Sequence, residues 1–153
     1  MTSERSTATA QGDLREDVGF LLSIARARTS RRANEALAAL DLRARTYSVL
    51  AMAATADGIT QRDVADALSL NPSQIVPLVD DLADRGLVER RPHASDRRAR
   101  VIAATDAGRA LHADARERVR RAMDQVLRDL DERERETLRG LLARVIAGAD
   151  DAS

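Results

Sequence analysis

Cysteine and tryptophan are absent from the 153 residues, and phenylalanine and tyrosine occur once each. Without cysteine there is no disulfide, no thiolate metal site and no thiol-based redox sensor. His93 and His112 are too few for a zinc site without cysteine, so no metal is expected. With so few aromatics, the core must be Ala, Leu, Val and Ile, which favours close-packed helices over a large sheet. Lysine is also missing: the 25 cationic residues are all arginine, and 25 acids balance them. A net charge of zero argues against binding nucleic acid over the whole surface, but leaves room for a local basic patch. No apolar run reaches membrane-spanning length, and the N-terminus lacks the apolar core of a signal peptide. A cytoplasmic location without a membrane partner is the expectation. No nucleophile–base pattern, glycine-rich phosphate loop or HExxH is present, so neither enzymatic activity nor a cofactor is expected.

What is present is apolar material in helical register. Hydrophobic residues make up 44% of the chain and charged ones 33%, which excludes global disorder. The length suits one domain or one protomer of an intertwined oligomer. Residues 1–12 are small and polar and read as a flexible tail. Val18, Leu21, Leu22, Ala25, Leu37 and Leu40 predict one long helix over 14–40, broken at Asp41-Leu42. A second helix is predicted over 43–56. Thr60 and Asp63 read as a capping box for a short helix, and Ser69-Leu70-Asn71 as a tight turn. Asn71 and Pro72 then open a helix that Gly86 closes. Segments 87–91 and 100–103 read as a strand pair. Thr105 caps a long helix, and Asp131 with Glu134 caps a last one.

Two short helices joined by a tight turn and followed by a hairpin describe a winged helix-turn-helix. The fold class is therefore mainly α with a small two-stranded wing. Segment 41–104 would be the DNA-binding lobe. Segments 13–40 and 105–150 would form a helical dimerisation region, since their apolar stripes bury too little within one chain and call for an intertwined homodimer.

In the helix from Pro72, the residues Ile75, Leu78, Val79 and Leu82 share the core face. Ser73 and Gln74 lie at its start, where a recognition helix meets base edges. Thr60 and Gln61 open the preceding helix and are further candidate contacts. Pro77 removes the bond to the Ser73 carbonyl, so either a bent recognition helix or a tolerated local bend is expected. The hairpin gives the sharper signal. From Arg85 to Arg100 there are six Arg, one His and two acids. Arg90, Arg91, Arg97, Arg98 and Arg100 can all reach a phosphate backbone, and an Arg at the tip fits a narrow minor groove. Asp96 lies two residues before Arg98 and would hold an Arg by a forked ion pair.

These features together resemble the MarR family of bacterial regulators, over about residues 14–148. The match rests on Gly58-Ile59-Thr60-Gln61, Pro72-Ser73-Gln74, Arg85-Gly86-Leu87-Val88, and above all Asp96-Arg97-Arg98 followed by Thr105-Asp106-Ala107-Gly108-Arg109. The resemblance implies a triangular homodimer, a pseudo-palindromic double-stranded DNA operator, usually repression, and release by a small, often anionic aromatic ligand. It casts Arg98 as the minor-groove residue and Asp96 as its buttress. The chain departs from the family at Pro77 and Asp81, where basic residues are common, and at Ala104, where leucine is usual. The cysteine-based oxidation-sensing branch is excluded. The implied pocket lies between the dimer region and the DNA-binding lobe. Its candidates are Arg26 or Arg28 as an anion partner, Tyr47 as a stacking face, and Met52 and His112 as liners. The alternative reading is a winged helix that binds protein instead of DNA, supported by Asp80, Asp81 and Asp84 and the zero net charge.

Overall fold

In the computed structural model, which describes residues 14, 16–55, 58–93 and 100–150, Asp17 opens the first long helix. Helix α1 (Val18–Leu37) starts where the Asp17 carboxylate accepts the Phe20 N–H at 2.9 Å. It ends earlier than the expected residue 40. The chain tightens into a 3-10 turn, Ala38–Leu40, and reverses at Asp41, whose φ of 50° is left-handed. A short polar side chain makes that conformation tolerable. The reversal lets Leu37 and Leu42 both enter the core.

Helix α2 (Ala44–Ala53) has no cap of its own, because Arg43 cannot supply one. Asn34 on α1 does so instead, its side-chain oxygen accepting the Ala44 N–H at 2.7 Å. Helix α3 (Gln61–Leu68) begins at Thr60, whose hydroxyl oxygen accepts the Asp63 N–H at 3.1 Å. The reciprocal half of the expected box differs. Asp63, one methylene shorter than glutamate, accepts the Thr60 hydroxyl proton at 2.6 Å rather than reaching back to the Thr60 backbone. Ser69, with φ of 51°, makes the turn.

Helix α4 (Pro72–Asp84) follows from Asn71 and continues through Pro77. Gly86, with φ of 67°, closes it: its N–H donates to the Ala83 carbonyl and that of Leu87 to Leu82, the paired bonds of a glycine-terminated helix. Strands β1 (Val88–Pro92) and β2 (Arg100–Ala104) pair antiparallel, from Val88 opposite Ala104 to Pro92 opposite Arg100. Ile59 exchanges both backbone bonds with Ile102 on the far side of β2. Gly58 makes this approach possible, since a Cβ there would stand 2.8 Å from the Ile102 carbonyl oxygen.

Helix α5 (Asp106–Val126) is capped by Thr105, which accepts the Gly108 N–H at 3.0 Å and donates to the Gly86 carbonyl at 2.7 Å. One hydroxyl thus joins the end of the recognition helix to the start of α5. The expected Asp131–Glu134 box forms in both directions, at 2.8 and 2.9 Å, and opens α6 (Glu132–Asp150).

The core is aliphatic: Leu37, Leu50, Ile75, Leu82 and Ile102 are fully buried, drawn from α1, α2, α4 and β2. Helix α1 lies along α5. Helix α6 buries none of its described side chains, and Val145 and Ile146 are 61% and 67% exposed. Val18 and Leu21 on α1 are similarly uncovered. No helix among the described residues is long and apolar enough to cross a membrane.

Candidate nucleic-acid interface

Helix α4 presents Ser73, Val76, Pro77 and Asp80 outward, at spacings of three, four and seven residues, while Ile75, Val79 and Leu82 are buried beneath. Leu78 is partly buried against the same core. Ser73 is exposed, and its hydroxyl makes no hydrogen bond among the described residues. Gln74 is partly committed. Its Oε1 accepts the Asn71 N–H at 3.1 Å, which leaves the amide nitrogen as the available donor. The Thr60 hydroxyl is committed to its cap, and Gln61 is half-buried at the start of α3.

The wing arginines divide into two kinds. Arg90 pairs with Asp80 on α4, Nη2 to Oδ1 at 2.5 Å, and so ties β1 to the recognition helix. Arg91 and Arg100 are exposed and form no ion pair among the described residues. Asp96, Arg97 and Arg98 lie outside the described residues. Of the acids on α4, Asp81 also has an internal partner, Arg85, at 3.5 Å. Arg85 donates to the Asp41 and Leu40 carbonyls at 2.8 and 3.2 Å as well. It thereby fastens the end of the recognition helix to the turn between α1 and α2. Nothing in the local sequence around Arg85 signals this contact.

The residues considered for ligand binding are not brought to one place. Arg26 lines a cleft of about 590 Å³ with Ser30, Arg45, Ser48, Leu68, Ser69 and Leu70, where α1, the start of α2 and the turn after α3 meet. Neither Arg26 nor Arg45 has an ion-pair partner among the described residues. Arg28 lines a different cleft, with Arg31, Arg32 and Arg128, towards the end of α5. Tyr47 and His112 stack on each other, centroids 5.8 Å apart and planes 26° from parallel. Burial pushes the Tyr47 phenol above its ordinary pKa. Burial, with the Arg116 charge, pushes His112 below its own. Met52 packs against the core. Arg45, Ser48 and Ser69 were not legible as liners, because only the fold brings α2 beside the helix-turn-helix turn. Among the described residues no cluster of His, Asp and Glu could hold a metal ion.

A profile described as MarR family matches residues 40–99. Among solved structures, CouR from Rhodococcus jostii RHA1, bound to p-coumaroyl-CoA, is 42% identical, with a TM-score of 0.81 and coverage of 87% of this chain and 94% of that one. A MarR-family transcriptional regulator from Rhodococcus sp. RHA1 is 41% identical, with a TM-score of 0.81 and coverage of 86% and 93%. The multiple antibiotic resistance protein MarR of Escherichia coli (strain K12) is 29% identical over 130 residues, 84% of this chain and 90% of that protein. The structure of a mutant of E. coli MarR complexed with operator DNA has a TM-score of 0.72 at 28% identity, covering 84% and 92%.

Proposed function

The chain belongs to the MarR family, whose members are transcriptional regulators and not enzymes, and from that premise we propose that it is a homodimeric repressor that leaves its operator when it binds a small anionic ligand. One observation carries the DNA-binding part. A helix-turn-helix, α3 to α4, is followed at once by a wing whose arginines stand out of a chain with no net charge. Such an arrangement offers a helix to the major groove and forked cations to the backbone and minor groove. Ser73 and the Gln74 amide are the proposed base-edge contacts. Arg91, Arg97, Arg98 and Arg100 are the proposed phosphate and minor-groove contacts, with Asp96 as buttress. Arg90 serves the wing's position through Asp80. The E. coli relative has been solved with operator DNA, which supports the same use of the fold here.

The protein-binding alternative draws on the zero net charge and on three acids of the recognition helix. Two of them, Asp80 and Asp81, are already paired with Arg90 and Arg85, so that face is far less anionic than its sequence.

The dimer reading rests on the uncovered apolar residues of α1 and α6, which a second copy would bury. For the ligand we propose the cleft of Arg26 and Arg45. Its volume suits a small molecule, and two guanidinium groups without an ion-pair partner among the described residues, beside Leu68 and Leu70, suit an aromatic acid or its CoA thioester. The bound p-coumaroyl-CoA of CouR supports that class. A gel shift with DNA flanking the gene, titrated with p-coumaroyl-CoA, p-coumarate and CoA separately, tests the whole reading. A shifted band that one of the aromatic compounds releases is expected. A band that none of them changes overturns the proposed ligand class, and no band overturns DNA binding.

A further inference from the structure

Among the described residues, large apolar side chains left exposed fall within the first 24 residues and on α6, with one exception. The exception is Val76, 44% exposed on the recognition helix. The core does not cover it: Ile75 and Val79 are fully buried, whereas Val76 stands on the flank between that core face and the outward face. It also lies away from the apolar surface of α1 and α6 that a second copy would cover. Val76 sits one turn in from the helix N-terminus, between Ser73 and Asp80, and Pro77 beside it adds a second exposed apolar group. Pro77 has no N–H and presents only its ring. Val76 and Pro77 therefore form a small apolar patch at one edge of the outward face of α4, beside the Ser73 hydroxyl and the Arg90-paired Asp80 carboxylate.

In the major groove, a single base feature is apolar: the C5 methyl of thymine. A valine at this depth of a recognition helix has nothing to offer a phosphate and no hydrogen bond to offer a base edge. On a base edge its favourable contact is to exclude water against a methyl. We infer that Val76 is a specificity-determining residue that reads a thymine methyl in each half-site, with Pro77 packed beside it. This rests on the DNA-binding reading above. It also gives the departure at Pro77 a role: a position where the family often carries a basic residue has become part of an apolar reading surface.

The test does not require the operator sequence to be known. A duplex is selected from a random-sequence pool by repeated binding to the full-length protein, and is remade with deoxyuridine in place of one thymine at a time. Uracil keeps every hydrogen-bonding group of thymine and lacks only the methyl. Burying one methyl corresponds to about a fourfold change in affinity. The wild-type protein should lose about that factor at one thymine per half-site, and little elsewhere. Val76→Ala, whose side chain is exposed and should leave the melting temperature unchanged, should bind the thymine duplex that much more weakly and no longer distinguish uracil at that position. Ser73→Ala should keep the distinction. Two results overturn the inference: no thymine whose methyl matters to the wild type, or a Val76→Ala protein that still feels the loss. Failure to enrich any duplex overturns the DNA-binding reading itself, and the inference with it.

Discussion

Arg98 is the residue proposed to enter the minor groove. A guanidinium at a hairpin tip can enter a narrow minor groove, where the negative potential is greatest. Arg98→Ala should weaken operator binding by about 1–3 kcal/mol, measured by fluorescence anisotropy on a labelled duplex. Unchanged affinity would remove Arg98 from the interface. His112 makes a different kind of prediction. Stacked on Tyr47 and beside Arg116, it is held below its ordinary pKa by burial first and by the Arg116 charge second. Its unfolded form therefore takes up a proton before its folded form does. The stability this confers is complete above the ordinary histidine range near 6.5 and is lost as pH falls below it. Urea denaturation of the wild type and His112→Asn at pH 7.5 and 5.5 should show the smaller acid-induced loss in the variant. Equal losses in both would mean that His112 does not titrate in this window.

Between elements, the tightest constraint is at Gly108. A Cβ there would stand 1.9 Å from the Leu87 carbonyl oxygen, so α5 can seat against the strand only where this residue has no side chain. Gly108→Ala should cost about 2 kcal/mol or more, because backbone and not a flexible side chain must move. Denaturant midpoints that match the wild type would show that the contact is not that close. The neighbouring Thr105 hydroxyl, which bonds both the Gly86 carbonyl and the Gly108 N–H, makes the same seam polar and directional. This seam was half legible in the sequence. Thr105 reads as a cap, and Asn71-Pro72 with Gly86 brackets α4 closely, because caps and turns are local chemistry. The Asp131–Glu134 box was legible for the same reason. Contacts between distant segments were not. Arg85 reaches carbonyls 44 and 45 residues back in the chain, and the Asn34 cap on α2 comes from the preceding helix. Arg45 carries no signal in the sequence, because only the fold brings it into the cleft that Arg26 lines. Arg90, counted from sequence among the DNA contacts, is held by Asp80, whose position across the wing no spacing rule gives.

At the scale of the whole molecule, the chain divides its surface between two demands. The apolar side chains of α1 and α6 need a cover, and the proposed cover is a second copy. Val145→Asp together with Ile146→Asp places two charges where each copy would bury an apolar contact. Sedimentation velocity should then report a monomer at concentrations where the wild type is a dimer. A dimeric variant would place the interface elsewhere. The other surface, α4 with the wing, is proposed to meet DNA through arginines that leave the chain's overall charge at zero. Long-range attraction of the whole molecule to DNA is then weak, and affinity must come from local contacts that displace condensed cations. The most direct measurement is affinity for a flanking or selected operator duplex as a function of salt concentration. If the dimer neutralises about 6–8 phosphates, log K should fall against log salt with a slope of roughly −5 to −7. A slope near zero, or no binding at low salt, would contradict the account.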